Sequence, residues 1–367
     1  MKVDPWSVKG EVDYDKLIKD FGLKKIDSNL LERIEKQAKK KGKKLHFLLK
    51  RGLFFAQRDL KFILDEYDKG NQFFLYTGRS PSGKVHLGHY FVWEFTKWLQ
   101  DVFDVELIFQ FPDEEKFLFK PNLSFEEVQN VLEDNMKDVA AIGFNPKKTR
   151  FLVNTRQANI MYKEAVKVAK KLTYNNVKAV FGFDESQNIG AIFYTSMQTV
   201  PVFIPSIEQN KKVPCLIPYA VDQDPHFRLT RDVVEKLGYL KPASIQAKFL
   251  PSLSGGSKLS SSESSLYLDD DEKTVKKKIN KYAFSGGKDT LEEHRKYGGD
   301  TTIDVSYNWL LFLEEDDKKL MKVKEDYESG KLLSGELKAI LIDKINEIYK
   351  EHKLRKEKVK LKNFEWR

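Results

Sequence analysis

Residues 73–89 read Phe73-Phe74-Leu75-Tyr76-Thr77-Gly78-Arg79-Ser80-Pro81-Ser82-Gly83-Lys84-Val85-His86-Leu87-Gly88-His89, and this stretch decides the fold. The apolar and aromatic run Phe73 to Tyr76 has the size of a buried strand. Thr77 to Gly83 is too rich in Gly, Pro and Ser to extend it, and predicts a turn. Behind His86 and His89, the side chains Phe91, Val92, Phe95, Trp98, Leu99 and Val102 recur at helical spacing. A strand, a glycine turn and a helix in that order aim the free N–H groups of a helix start at the turn, where a phosphate is the usual occupant.

Two motifs compete for that turn. Gly78 to Lys84 fits G-x-x-x-x-G-K, but a P-loop continues with a Ser or Thr hydroxyl for its magnesium ion, and Val85 follows here. A P-loop nucleotide hydrolase is disfavoured on that ground. His86 and His89 place two imidazoles at the helix start, and simple capping or solvation of that start would explain them equally well. The rest of the chain has to decide.

Val105 to Phe111 reads as a second buried strand running into Pro112, Asp113, Glu114 and Glu115. Ligands of open α/β sheets lie beyond the carboxyl ends of the strands, so Gln110 and Glu115 are placed to line a site. Ser124 and Glu127 form a capping box ahead of a helix whose period Val128, Val131, Leu132, Met136, Val139 and Ile142 runs to Gly143. Arg150 to Val153 predicts a third strand. Val213 to Ile217 predicts another, leading through Ala220 to Pro225 into a helix with Leu229, Val233, Val234 and Leu237, closed by Gly238. Asp224 and Pro225 suit the N-cap and first position of that helix. Capping leaves Asp222 and Gln223 unexplained, and Gln223 falls on the ligand face. Alternation of strands with amphipathic helices predicts an α/β fold with a doubly wound parallel sheet.

On either side of this core the composition changes. In residues 1–71 a lysine cluster (Lys36, Lys39, Lys40, Lys41, Lys43, Lys44) reads as a solvated helix end, while Phe47, Leu48, Leu49, Phe54, Phe55, Leu60, Phe62 and Ile63 can bury against a sheet. This predicts an extension packed on the core. Ser252 to Ser265 is a polar Ser- and Gly-rich loop containing Lys258. A lysine on a mobile loop can close over a triphosphate, while neighbouring hydroxyls fix the phosphate oxygens. From Asp269 onward the chain is charged and helical: Val275 and Ile279 begin one pattern, and Leu337, Ile340, Leu341, Ile345 and Ile348 form a stronger one with Ser334 as its candidate cap. Lys350 to Lys362 is strongly basic. The expected organisation is 1–71 extension, 72–268 catalytic core and 269–367 helical domain with a basic tail.

The formal net charge of +9 over 367 residues suits a polyanionic partner, because clustered Lys and Arg gain by releasing counterions from a phosphate backbone. A lone cysteine, Cys215, excludes an internal disulfide and a zinc site of clustered thiolates. There is no apolar run of membrane-spanning length and no basic-then-apolar segment at Met1, which predicts a cytoplasmic protein.

With these stretches in place, the chain resembles the tryptophanyl-tRNA synthetases of the eukaryotic and archaeal type, a branch of the class I aminoacyl-tRNA synthetases, over nearly its whole length. His86-Leu87-Gly88-His89 matches the H-x-G-H signature of the class. The loop of Lys258 follows it across the sheet as the Lys-Met-Ser-Lys-Ser loop does. Val3-Asp4-Pro5-Trp6, Tyr76-Thr77-Gly78-Arg79, Phe95 to Phe103, Val221-Asp222-Gln223-Asp224-Pro225 and Ala283-Phe284-Ser285-Gly286-Gly287 match as well. The resemblance implies a Rossmann-type catalytic domain followed by an all-helical anticodon-binding domain, a homodimer, and the substrates L-tryptophan, ATP with Mg²⁺ and tRNA, with no protein-bound metal cage.

Carried over by position, the resemblance puts Tyr76 and Gln110 at the indole N–H, and Glu115, Gln198 and Gln223 at the ammonium end of the amino acid. It puts Thr77, Gly78, Arg79, His86, Gly88, His89, Lys258 and Ser260 at ATP, with His86, His89, Lys258 and Arg79 as the catalytic set. Leu259 stands where methionine is usual, and Ser261 where bacterial members have a second lysine, which leaves Lys258 as the main mobile cation. Lys288 and Asp289 fall where the family can contact the anticodon, but lysine lacks the bidentate fork of the more usual arginine. A tyrosyl-tRNA synthetase of the same fold and a non-catalytic RNA-binding paralogue are the alternatives. The first would need pocket partners for a phenol, and the second is disfavoured by the retained histidines and lysine.

Overall fold

The computed structural model describes residues 2–3, 8–9, 12–256, 258 and 264–366, with backbone alone at 2–3 and 8–9. Strands β1 (Lys2–Val3) and β2 (Val8–Lys9) pair antiparallel. The main sheet is built from β3 (Lys24–Lys25), β4 (Phe54–Arg58), β5 (Phe74–Gly78), β6 (Glu106–Phe111), β7 (Thr149–Val153), β8 (Cys215–Ala220) and β9 (Ala243–Ala247). Its seven strands lie in the order β3-β4-β9-β8-β5-β6-β7. The run from β9 to β7 is parallel, and β3 and β4 add an antiparallel edge beside β9. From β5 the chain first moves outward to β6 and β7 and later returns to β8 on the other side. The crevice at the carboxyl ends of β5 and β8 is therefore the switch point at which such sheets bind ligands.

The N-terminal stretch does more than cover the core. Two of its strands join the sheet, and Phe54 of β4 stacks on Phe95 of the helix Leu87–Phe103 with ring centroids 3.7 Å apart. That helix buries Phe91, Val92, Phe95, Leu99 and Val102 of the apolar period read from the sequence, and Leu87, Trp93 and Phe103 besides, while Trp98 is only partly covered. At roughly 1.5–3 kcal/mol per fully buried large apolar side chain, this one face fixes the helix firmly over β5 and β6. The capping box of Ser124 and Glu127 starts the helix Phe125–Ala141 as expected.

Among the described residues, five α-helices follow the sheet: Glu272–Tyr282, Leu291–Tyr297, Val305–Leu313, Asp317–Glu328 and Ser334–Glu357. Their buried residues Val275, Ile279, Trp309, Leu337, Leu341 and Ile345 continue the apolar core that covers β5 and β6. The last helix is also tied by charge: His352 Nε2 lies 3.0 Å and Lys356 Nζ 2.8 Å from Asp138 Oδ1 on the helix Phe125–Ala141. Beyond it, Phe364 stacks on Phe151 of β7 at 4.8 Å and the Arg150 guanidinium lies over the Trp366 ring at 4.3 Å. No helix among the described residues is long and apolar enough to cross a membrane.

Two expected caps are absent. Leu333, not Ser334, precedes the long helix, and Ser334 Oγ instead meets Ser285 Oγ at 2.8 Å and Tyr327 Oη at 3.0 Å. Asp224 is the first residue of the helix Asp224–Val234, and its fully buried carboxylate accepts from Arg58 Nη1 (2.9 Å) and Tyr219 Oη (2.8 Å). An ion pair to β4 is worth more to a buried carboxylate than one backbone N–H at a helix end.

Candidate active site

The turn after β5 is held shut by its own arginine. The backbone N–H of Arg79 donates to the Gln110 carbonyl (2.9 Å), and its guanidinium donates to the carbonyls of Ser82 (2.9 Å) and Lys84 (3.2 Å) and to Asn135 Oδ1. Asn135 closes the ring by donating to the Gly83 carbonyl at 3.0 Å. Arg79 is 7 % exposed, with its Nε buried and unpartnered, and burial brings its pKa down to about 10. Gly78 has a separate reason: a Cβ there would lie 2.7 Å from the Gln110 carbonyl oxygen, so only glycine lets β5 and β6 close at this point. Thr77 beside it is buried, while Gly78 is open on the ligand face.

His86 is the N-cap residue of the helix Leu87–Phe103 and makes no side-chain cap bond. Its ring lies 3.9 Å from that of His89, which in turn stacks toward Trp93 at 5.5 Å. The Nδ1 atoms of both histidines are buried without a partner. Burial lowers the His86 pKa to about 3 and holds His89 well below its ordinary value, so both rings are neutral near pH 7. Gly88 stands between them in the first turn of the helix. The segment after the Lys258 loop pairs with this helix start: Leu87 N–H donates to the Leu266 carbonyl (3.2 Å) and Leu268 N–H to that of Val85 (2.9 Å).

Beyond β5 and β6 lies a buried polar chain. Tyr194 Oη donates to Gln198 Oε1 (2.7 Å), Gln198 Nε2 to Tyr76 Oη (3.0 Å), and Tyr76 Oη to Gln110 Oε1 (2.5 Å). Gln110 Nε2 then donates to Asn154 Oδ1 (2.9 Å), and Asn154 Nδ2 to Glu114 Oε1 (2.7 Å). Glu115 Oε2 stands 3.2 Å from Tyr194 Oη at the other end. Tyr76, Gln110, Asn154 and Tyr194 are each at most 2 % exposed, and burial drives both tyrosine pKa values well above the ordinary range.

At the β8 corner, Lys258 Nζ sits 2.5 Å from Asp222 Oδ2, and Gln223 Nε2 donates to the same oxygen at 3.2 Å. The loop lysine is thus held at the carboxyl end of β8, on the crevice. Asp222, which capping could not explain, is its anchor.

The chain matches the family model of class I tRNA synthetases for tryptophan and tyrosine over residues 68–350. It is 50 % identical over 362 residues to the tryptophan–tRNA ligase of Sulfurisphaera tokodaii, covering 98 % of this chain and 93 % of that one. The cytoplasmic tryptophan–tRNA ligase of Oryctolagus cuniculus is 45 % identical, covering 97 % of this chain and 78 % of that protein. The chain belongs to the tryptophan–tRNA ligase family. A solved structure of Plasmodium falciparum tryptophanyl-tRNA synthetase superimposes with a TM-score of 0.90 at 41 % identity, covering 96 % and 97 % of the two chains. The class I fold therefore extends through the C-terminal helices.

Within this class I synthetase, Tyr76, Gln110, Gln198 and Glu115 meet in one hydrogen-bonded group. Gln223 does not join it and stands instead with Asp222 and Lys258. Arg79 faces its own turn. Ser260, with Leu259 and Ser261, lies outside the described residues. Lys288 and Asp289 are exposed after Gly286 and Gly287, where a Cβ on Gly286 would overlap the Asp300 carbonyl oxygen. The Ala283–Gly287 stretch therefore has a packing reason of its own. Sequence reading missed Asn135, Asn154 and Tyr194; Asn135 carried a signal, being a polar residue on the apolar face between Leu132 and Val139.

Proposed function

We propose that the chain joins L-tryptophan to tRNA in two steps. The tryptophan carboxylate attacks the α-phosphorus of ATP, forming tryptophanyl-adenylate as pyrophosphate leaves. The acyl group then passes to a ribose hydroxyl of the terminal tRNA adenosine, releasing AMP. The observation that carries this reading is the Tyr76–Gln110–Gln198 group at the carboxyl ends of β5 and β6, beside a helix start bearing two neutral histidines.

An indole N–H only donates, so its pocket must present an acceptor. Gln110 Oε1 has a second lone pair for it, as does Tyr76 Oη in the absence of Gln198's donation. A phenol would need an acceptor and a donor at a different depth, which argues against tyrosine as the substrate. Glu115 and Gln198 suit the ammonium end, and Gln223 approaches the same crevice from β8. At the nucleotide, Thr77, Gly78 and Gly88 provide backbone approach, while neutral His86 and His89 act as hydrogen-bond donors to phosphate rather than as cations. Positive charge then comes from Lys258 and the helix N–H groups, with Mg²⁺ arriving bound to ATP. Arg79 acts by bracing the turn, and Ser260 by holding phosphate oxygen. Positioning and charge stabilisation carry the first step, with no covalent enzyme intermediate.

In this reading residues 72–268 are the catalytic domain with 1–71 packed on it, and 269–367 bind the anticodon stem through the basic tail and Lys288 and Asp289. The enzyme works in the cytoplasm as a homodimer. Tyr162, Val166 and Ile189, exposed at 62 %, 44 % and 84 % on neighbouring helices, support a twofold contact there. Aminoacylation tests the function: labelled tryptophan, and not tyrosine, should become acid-precipitable with tRNA and ATP. Charging with tyrosine instead would overturn it.

A further inference from the structure

The five hydrogen bonds from Tyr194 to Glu114 all run in one sense, each donor passing its proton direction to the next group. Such a chain has two possible senses, because each amide can present either its oxygen or its nitrogen to a neighbour, and a hydroxyl can donate or accept. Carboxylates stand at both ends, but Tyr194 gives its one proton to Gln198 at 2.7 Å rather than to Glu115 at 3.2 Å, while Asn154 Nδ2 reaches Glu114 at 2.7 Å, so the Glu114 end sets the sense. A carboxylate only accepts, so Glu114 draws the Asn154 amide nitrogen toward itself. Asn154 then faces Gln110 with its oxygen, draws the Gln110 nitrogen away, and leaves the Gln110 oxygen on the side of Tyr76. In the reversed sense Gln110 would present N–H to that side, and an indole N–H would meet another donor.

We propose that Glu114 and Asn154 are positioning residues for specificity: as the acceptor terminus of the buried amide chain, they fix Gln110 with its carbonyl toward the indole. This deepens the tryptophan-pocket reading and rests on it.

The surroundings fit such a role. Asn154 is fully buried at the end of β7, Gln110 fully buried on β6, and no water-exposed face competes for either amide. Asn154 is tied to β6 as well, since its own N–H donates to the Phe111 carbonyl at 3.3 Å. Glu114 keeps its second oxygen, Oε2, buried without a partner. A carboxylate that serves only structure would be expected to fill both oxygens, as neighbouring Asp113 does with Thr155 and Gln129. The side-chain donor to Glu114 is the Asn154 amide that sets the sense. Burial, with Asp113 and Glu115 beside it, raises the Glu114 pKa to about 7, and the hydrogen bond from Asn154 works against that rise by favouring the charged, accepting form. Head-to-tail order also polarises each bond in the same direction, which strengthens the chain as a unit.

The test compares tryptophan with β-(benzothiophen-3-yl)alanine, an isostere that lacks the indole N–H, in pyrophosphate exchange. Glu114→Gln can donate or accept, so the sense is no longer fixed. It should raise the tryptophan KM about tenfold and shrink the preference for tryptophan over the isostere by a similar factor, with kcat and the ATP KM little changed. The double variant Glu114→Gln/Asn154→Asp moves the acceptor-only group one place along the chain, where it receives the amide of Gln110 and the new amide that replaces the Glu114 carboxylate. It should restore tryptophan KM and preference. Gln110→Leu separates the two claims. If it leaves tryptophan KM and preference unchanged, the pocket reading itself fails. If it raises KM while Glu114→Gln keeps wild-type values, the pocket stands and the orienting role is refuted. Should Glu114→Gln not fold, the double variant decides alone: wild-type preference supports the proposal, and the preference of Gln110→Leu overturns it.

Discussion

Replacing Lys258 with alanine removes two things that can be measured apart. In the structure its ammonium lies 2.5 Å from Asp222 Oδ2, with the two side chains 25 % and 6 % exposed. Without it, Asp222 keeps Gln223 Nε2 as a donor at 3.2 Å, and its Oδ1 is already buried without a partner. Losing one member of a fully buried pair costs roughly 3–5 kcal/mol, and the partial exposure of the lysine discounts this to about 1–3 kcal/mol. On the proposed mechanism the same ammonium meets charge that develops on the phosphates only in the transition state. Its loss should therefore slow adenylate formation roughly 10²–10³-fold while leaving the tryptophan KM almost unchanged. Thermal melts and tryptophan-dependent pyrophosphate exchange read the two effects. Asp222→Asn/Lys258→Ala should recover stability, because the stranded charge is gone, but not rate. An exchange rate for Lys258→Ala close to wild type would refute the placement of this loop at the phosphates.

Gly78→Ala places a methyl 2.7 Å from the Gln110 carbonyl oxygen, so it should destabilise the fold by about 1–3 kcal/mol and raise the tryptophan KM through Gln110, as denaturant titration and exchange kinetics would show. Asp138→Ala leaves buried His352 Nε2 without its partner while Lys356 keeps Asp134 at 2.9 Å, and a loss of roughly 1–3 kcal/mol in the same titration is expected. Burial lowers His46 and His86 to about 3 and His226 to about 4, and His89 further below its ordinary value. The unfolded chain binds protons near pH 6.5 that these folded rings refuse, so their contribution is intact above about pH 6.5 and falls as pH drops toward 4, by at most about 1.4 kcal/mol per ring per pH unit. Thermal melts between about pH 7 and pH 5 check this, and a flat Tm across that window would contradict it.

Four of the five parallel strands, β5, β6, β7 and β8, were legible because each is a short apolar run, whereas the fifth, β9, has Ser244 and Gln246 among small residues and was not read. Nor was the antiparallel edge. Lys24–Lys25 is too short and polar to show a period, and Phe54–Arg58 takes its place from pairing with Ala243–Ala247, a partner far away in the chain. In the site, residue types announced themselves where chemistry limits the choice, as with His86, His89 and Lys258. The hydrogen-bond sense did not. Whether Asn154 faces Gln110 or solvent depends on where β7 ends relative to β6, a register no local pattern encodes. The same holds for Asp224, which reads as a helix cap until Arg58 is seen to reach it from another strand.

On the proposed mechanism the crevice between β5 and β8 activates tryptophan with ATP. Exchange of labelled pyrophosphate into ATP by the purified chain, measured with tryptophan, tyrosine and phenylalanine in turn, tests it most directly. The expected result is exchange with tryptophan and preference over the other two by roughly 10⁴ or more, the scale reached when buried polar groups are left unpaired by the wrong substrate. No exchange with any of the three, or exchange that prefers tyrosine, would contradict it.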